Sequence, residues 1–190
     1  MKRGLVSPSL FHPCRGGGVN LHPPKWADYE DWATLRELNK NYLTPWEPTW
    51  DPLHLSRPRY RARLAKFKKM IASDEAYPFH VFRADDKCLV GACNLTQVRR
   101  GSQQSAHIGY WVGERYARQG FARASVQAVL RFAFNDLGLH RVSAAVQVEN
   151  KASIKLLETT GFQPEGLARG FLKIKGRWTD HLVYARLSSD

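Results

Sequence analysis

Apolar residues recur along this chain at two spacings, and the spacing changes where the structure should change. Over residues 121–137, Val126, Val129, Leu130, Ala133 and Leu137 fall on one stripe of a helix. Just upstream, Ile108, Tyr110 and Val112 alternate with Gly109, Trp111 and Gly113, which predicts a strand over residues 106–113. Val142, Ala144 and Val146 repeat that alternation over residues 141–147. Further strands are predicted at residues 19–22, 77–84, 88–97, 162–171 and 178–187. Asp85-Asp86-Lys87 and residues 173–177 supply hairpin turns between neighbouring pairs.

Helices are predicted at residues 26–41, with Trp32, Leu35 and Leu38 facing the sheet and Asp28, Glu30 and Asp31 in the first turn. Another spans residues 57–71, where Tyr60, Leu64, Phe67 and Ile71 share a face, and a last one spans 153–160, closed by Gly161. Interleaved helices and strands imply an α/β fold: one domain, a sheet of about six to seven strands and about four helices on its two faces. Ser7-Pro8, His12-Pro13 and Gly16-Gly17-Gly18 mark residues 1–18 as a flexible N-terminal leader, with the domain over 19–190.

Two stretches resist a simple pattern. Residues 42–52 contain Pro45, Pro48 and Pro52, which break regular structure, and place Trp46 and Trp50 in a loop. Such aromatics form either a binding wall or packing filler. Residues 57–69 carry Arg57, Arg59, Arg61, Arg63, Lys66, Lys68 and Lys69 without one acid. The run is either a solvated cationic face or a patch for a phosphate backbone such as ribosomal RNA.

Composition narrows the picture. With 43% hydrophobic and 12% aromatic residues, the 190-residue chain has the material for a packed core. No apolar run is long enough to span a bilayer, and residues 4–10 are too broken for a signal-peptide core. Cys14, Cys88 and Cys93 form no paired motif, which fits free thiols in a reducing cytoplasm. The net charge of +12 favours polyanionic partners and also simply aids solubility.

The candidate chemistry centres on residues 115–135. A strand, a polar loop with Gly120, then a helix start directs free backbone N–H groups and the positive helix end at one point, a seat for a diphosphate. The loop is neither a dinucleotide fingerprint nor a Walker sequence, so an ordinary strand-to-helix turn is the alternative.

Three further stretches accompany it: Ile108-Gly109-Tyr110-Trp111-Val112, Arg118-Gln119-Gly120-Phe121-Ala122, and Asn150-Lys151-Ala152-Ser153 with Leu156-Leu157-Glu158-Thr159-Thr160-Gly161-Phe162. Together they resemble the GNAT superfamily of acetyl-CoA-dependent N-acetyltransferases, over residues 19–187. Thr44-Pro45-Trp46-Glu47-Pro48 and Gly176-Arg177-Trp178-Thr179-Asp180-His181 are similar to the RimJ rather than the RimL branch, enzymes that acetylate the N-terminal amines of ribosomal proteins. The resemblance implies a mixed, mostly antiparallel sheet with a splay between the strands at 106–113 and 141–147. It also implies acetyl-CoA as cosubstrate and no metal. The partner it implies is a ribosomal-protein N-terminus, with no membrane and a monomeric or homodimeric state. Ala117 stands where the family's phosphate loop usually has Gln or Arg.

By the same resemblance, Trp111, Val112, Arg118, Gln119, Gly120, Phe121, Ala122, Arg123, Asn150 and Ser153 bind the cosubstrate. Ser153 matches the position of the acid toward the departing sulfur; helix N-capping is its structural alternative. His107 and Asp180 are candidates for handling the amine proton, and Trp46, Glu47 and Tyr110 for holding the acceptor. An amine that arrives neutral requires no base. A small-molecule amine acceptor, and an RNA-binding assembly factor with a vestigial site, remain as alternative functions.

Overall fold

A computed structural model describes residues 8–15 and 17–190. Among them the chain forms one sheet of eight strands, ordered β1-β2-β3-β4-β5-β6-β8-β7. The strands are β1 (Leu10–His12), β2 (Val19–His22), β3 (Tyr77–Arg83), β4 (Leu89–Arg99), β5 (Ser105–Val112), β6 (Arg141–Gln147), β7 (Gln163–Ile174) and β8 (Arg177–Leu187). Every neighbouring pair is antiparallel except β5 with β6. The helices are α1 (Tyr29–Leu38), α2 (Lys40–Leu43), α3 (Arg57–Ala72), α4 (Phe121–Arg131) and α5 (Lys151–Thr159).

β3 and β4 explain the layering. Tyr77 to Val81 and Leu89 to Cys93 are buried at every position, so both faces of the sheet are covered there. α4 packs on β4 and β5, while α1 reaches β4 and α3 reaches β3. α4 is the most deeply buried helix, and its stripe Val126, Val129, Leu130 is 2% exposed or less. It continues through a wide turn, Phe132–Asp136, where Phe132 meets Tyr77 and Phe79 edge to face. β7, by contrast, is an edge strand with exposed residues nearly throughout.

Several expectations need correction. The leader expected over residues 1–18 includes β1, whose Leu10, Phe11 and His12 pair with Leu21, Asn20 and Val19; residues 1–7 and 16 lie outside the described set. That strand makes eight where about six to seven were expected. The helix expected over 26–41 is a tight turn (Trp26–Asp28), α1 and the short α2. Leu38, assigned to its buried face, is 72% exposed, and Arg36 is buried in its place at 4%. Cys88 lies in the turn before β4 and is exposed, whereas Cys93 is buried; both are free thiols, as is Cys14.

Candidate active site

β5 and β6 pair only through Ser105↔Arg141, Ala106↔Val142 and His107↔Ser143 among the described residues. Beyond that point β5 continues to Val112 and β6 to Gln147, each still held on its other side, by β4 and β8. Two strand edges thus face each other across an open fork. Gly91 on β4 admits the close approach of the far end of β5, where it pairs with Val112. A Cβ at Gly91 would stand 2.0 Å from the Trp111 carbonyl oxygen, so only glycine fits.

The loop after β5 turns through Glu114–Tyr116 and reaches α4 at Gly120. Arg118 (φ +62°) and Gly120 (φ +88°) adopt left-handed conformations, the second of which glycine favours. The first α4 hydrogen bond runs from Ala124 N–H to the Gly120 carbonyl, 2.9 Å. The amides of Phe121, Ala122 and Arg123 precede it and have no acceptor within the helix. With the helix dipole behind them they form an anion seat. Phe121 is 1% exposed and its ring meets Tyr116 edge to face at 6.3 Å, so its side chain anchors the loop and only its amide is left for a ligand. Arg118, Gln119 and Arg123 are exposed around the seat, with Gln119 donating to the Arg115 carbonyl at 2.7 Å. Cys14, just past β1, is the neighbour a side chain at Gly120 would meet, at 3.7 Å.

On the opposite wall, α5 begins at Lys151 rather than at Ser153. Its cap is Asn150, whose Oδ1 accepts from the Ser153 N–H at 3.1 Å. Ser153 is therefore released from the capping role, and its Oγ lies 2.7 Å from the Tyr110 hydroxyl. Tyr110 stands on the open half of β5, so this contact joins the two walls of the fork. Burial pushes the Tyr110 phenol well above its usual pKa and keeps it protonated.

A lid closes over these walls. Arg36 donates to both carboxylate oxygens of Glu47, at 2.8 and 2.6 Å, and the Trp50 indole N–H donates to the second at 2.7 Å. The guanidinium lies between the rings of Trp50 (4.2 Å) and Trp111 (5.0 Å), so it ties the lid to β5. Gln147 donates to the Pro45 carbonyl at 3.3 Å, tying the same lid to β6. His54 stacks on Trp50 at 4.8 Å, and burial with Arg63 and Arg36 nearby pushes its pKa down to about 4. It is neutral at ordinary pH. Trp46 is half-exposed on the lid surface.

The sequence-predicted residues do not all converge. Trp111, Val112, Tyr110, Ser153 and the loop at 118–123 share the fork. His107 sits at its closed end, with Nδ1 3.3 Å from Ser143 Oγ, and burial lowers its pKa. Four residues of strand, about 13 Å, separate it from Trp111. Asp180 lies one residue past the last β6–β8 pair and accepts from the Gly170 N–H at 2.7 Å, bracing an irregularity in β7. Glu47 is already engaged by three donors. Sequence reasoning missed Gly91, Arg36 and Gln147; a glycine inside an apolar strand signals close backbone approach and could have revealed the first.

The cationic run at 57–69 is also partly spoken for. Arg57 pairs with Glu30, Arg59 with Asp51 at 3.1 Å, and Arg63 stacks on Trp32 at 4.7 Å. Lys66, Lys68 and Lys69 stay exposed on α3.

A forked mixed sheet with an anion seat at the following helix defines an acetyltransferase architecture. The acetyltransferase (GNAT) domain family matches residues 19–163, and the chain belongs to that family, with a RimJ/RimL-like character. It is 32% identical to the probable N-acetyltransferase YjcK of Bacillus subtilis (strain 168), over 93% of this chain and 97% of that protein. It is equally 32% identical to the [ribosomal protein uS5]-alanine N-acetyltransferase of Escherichia coli (strain K12), over 80% of this chain and 78% of that one. Mycobacterium smegmatis RimJ in complex with CoA-disulfide superposes with a TM-score of 0.91 at 29% identity, covering 96% of this chain and 88% of that one. The chain is thus a GNAT N-acetyltransferase dependent on acetyl-CoA. Among the described residues, no helix is long and apolar enough to cross a membrane.

Proposed function

We propose that this protein acetylates the N-terminal α-amine of a ribosomal protein, as the Escherichia coli relative is named for doing. The observation that carries the reading is the fork bridged by its lid. It offers an open strand edge beside a helix start for an extended thioester, with Trp46 exposed on the lid for the acceptor. Acetyl-CoA, when bound, supplies the acetyl group on a thiol leaving group. The seat at Gly120 to Arg123 receives the diphosphate through backbone amides, and the open edge of β5 at Trp111 and Val112 hydrogen-bonds the pantetheine arm like an added strand. An amide near Val112 faces the thioester oxygen and stabilises its developing charge.

The amine nitrogen, arriving neutral, forms a bond to the acetyl carbon with its lone pair, and the carbon–sulfur bond breaks toward sulfur. Ser153 gives its hydroxyl proton to that sulfur, and the proton released by nitrogen returns to Ser153 through solvent. Asn150 holds α5 so that Ser153 faces the slot. Glu47 acts by fixing the lid through Arg36 and Trp50, and in this reading His107 and Asp180 have no part in proton transfer. Lys66, Lys68 and Lys69 form the narrowed face for ribosomal RNA, and the reaction belongs in the cytoplasm where ribosomal proteins are made.

Mass-spectrometric assay of acetyl transfer from acetyl-CoA to peptides beginning with Ala or Ser tests the reading. Acetylation confined to their α-amine is expected. Preference for polyamines or other small amines overturns it.

A further inference from the structure

We propose that Tyr110 is a positioning residue that orients the Ser153 hydroxyl toward the departing sulfur; this rests on Ser153 acting as the acid. Three observations carry it. First, the only described partners of the Tyr110 hydroxyl are Ser153 Oγ at 2.7 Å and, at 3.4 Å, the Ser153 carbonyl. Second, the Ser153 N–H is held by the Asn150 cap at 3.1 Å, so the serine backbone is fixed independently and rotation about χ1 is what the phenol controls. Third, Tyr110 projects from the half of β5 that has left β6, so the contact spans 43 residues of sequence and sets one wall against the other where the strands no longer do so.

A phenol is a better donor than an alkyl alcohol, so Tyr110 donates and Ser153 Oγ accepts. That polarity has a chemical consequence. The Ser153 proton is turned away from Tyr110 and toward the slot, and the negative charge that gathers on Oγ as the proton leaves is met by the phenol O–H, which donates to it. Because burial keeps the phenol protonated, the donor stays in place across the working pH range. Tyr110 exchanges no proton with the substrate; its O–H bond is intact before and after transfer.

The experiment compares Tyr110→Phe, Ser153→Ala and the double variant by steady-state kinetics. It adds a measurement without turnover: the thiol pKa of bound CoA, followed by thiolate ultraviolet absorption. Ser153→Ala is expected to lower kcat, and Tyr110→Phe to lower it about fivefold to tenfold, the worth of one hydrogen bond. The double variant is expected to be no slower than Ser153→Ala, because the phenol acts only through the serine. In bound CoA the thiol pKa is expected to rise in both single variants, with CoA affinity by calorimetry unchanged within about twofold.

The outcomes separate the two claims. If Ser153→Ala retains full kcat, the acid reading itself fails. If Ser153→Ala is slow while Tyr110→Phe matches the wild type in kcat and thiol pKa, the acid stands and the positioning role is overturned. Additive losses in the double variant also overturn it, since they require Tyr110 to act on its own. Should Tyr110→Phe fold poorly, Tyr110→Met carries the test in its place: the same loss of kcat and rise in thiol pKa are expected, and wild-type values overturn the positioning role.

Discussion

The two sides of the slot are built by different means. The cosubstrate side is backbone: strand edges left unpaired, a helix start, and two glycines, Gly91 where a Cβ would collide with β5 and Gly120 where φ is positive. The lid is side chain: Arg36, Glu47, Trp50, Trp111 and His54 locked in a partly buried network. Backbone construction suits a ligand part that is the same in every turnover. Side-chain construction suits a surface that must fit one acceptor, because each contact can be altered without moving the sheet. A ligand wall of amides also tolerates Ala117, since no side chain there is needed for the amides to point at the seat.

The sharpest way to break the contrast is Gly120→Val. Its φ of +88° is strained for a β-branched residue, so the seat should be lost with little effect elsewhere. Acetyl-CoA affinity by calorimetry should fall by roughly a hundredfold or more, with circular dichroism unchanged. On the lid, Arg36→Ala strands a carboxylate that is 24% exposed. Breaking a buried pair costs about 3–5 kcal/mol; with Glu47 partly solvated, a loss of about 2–3 kcal/mol is expected in urea unfolding, with CoA affinity largely kept. If that variant loses CoA and Gly120→Val does not, the division between the two sides is wrong.

A smaller effect comes from Asn150→Ala, which removes the α5 cap and should cost about 1 kcal/mol in the same measurement. The last concerns pH, at a half-buried group whose shift solvent screening discounts. His54 has a folded-state pKa of about 4 against 6.5 unfolded, so the unfolded chain binds the proton first on acidification. Its contribution is complete above pH 6.5 and is lost as pH falls toward 4. Melting temperature should therefore decline across that window, and His54→Gln should flatten part of the decline. Asp28, held below the usual carboxylate range by the His80 and Lys25 contacts despite burial, supplies further loss in acid that the variant leaves in place.

This contrast also explains what the sequence disclosed. The fork was legible only through the family resemblance carried by the stretches at 108–112, 118–122 and 150–162; the alternation at Ile108, Tyr110 and Val112 by itself predicted a strand. Strand and helix positions followed from such local periodicity, with errors of a few residues at their ends. Arg36 was not legible: its partners lie 11, 14 and 75 residues away, and an arginine on an amphipathic helix reads as solvent-facing. Leu38 was misplaced because α1 ends there and the stripe never completes. β1 was hidden by its three-residue length beside Pro13 and the glycines. Ser153 and Asn150 exchanged the capping role because either residue type caps well, and only the start of α5 decides between them.

Gly91 carries one more consequence. It lets the far end of β5 lie tight against β4, and with β5 and β6 paired only at 105–107 and 141–143 among the described residues, the middle of the sheet keeps a pair of bare rims before any ligand arrives. Bare rims recruit strands from other chains. Purified protein should clump at lower concentration when stripped of CoA than when supplied with it, and hydrogen–deuterium exchange at residues 108–112 should slow when the nucleotide is added.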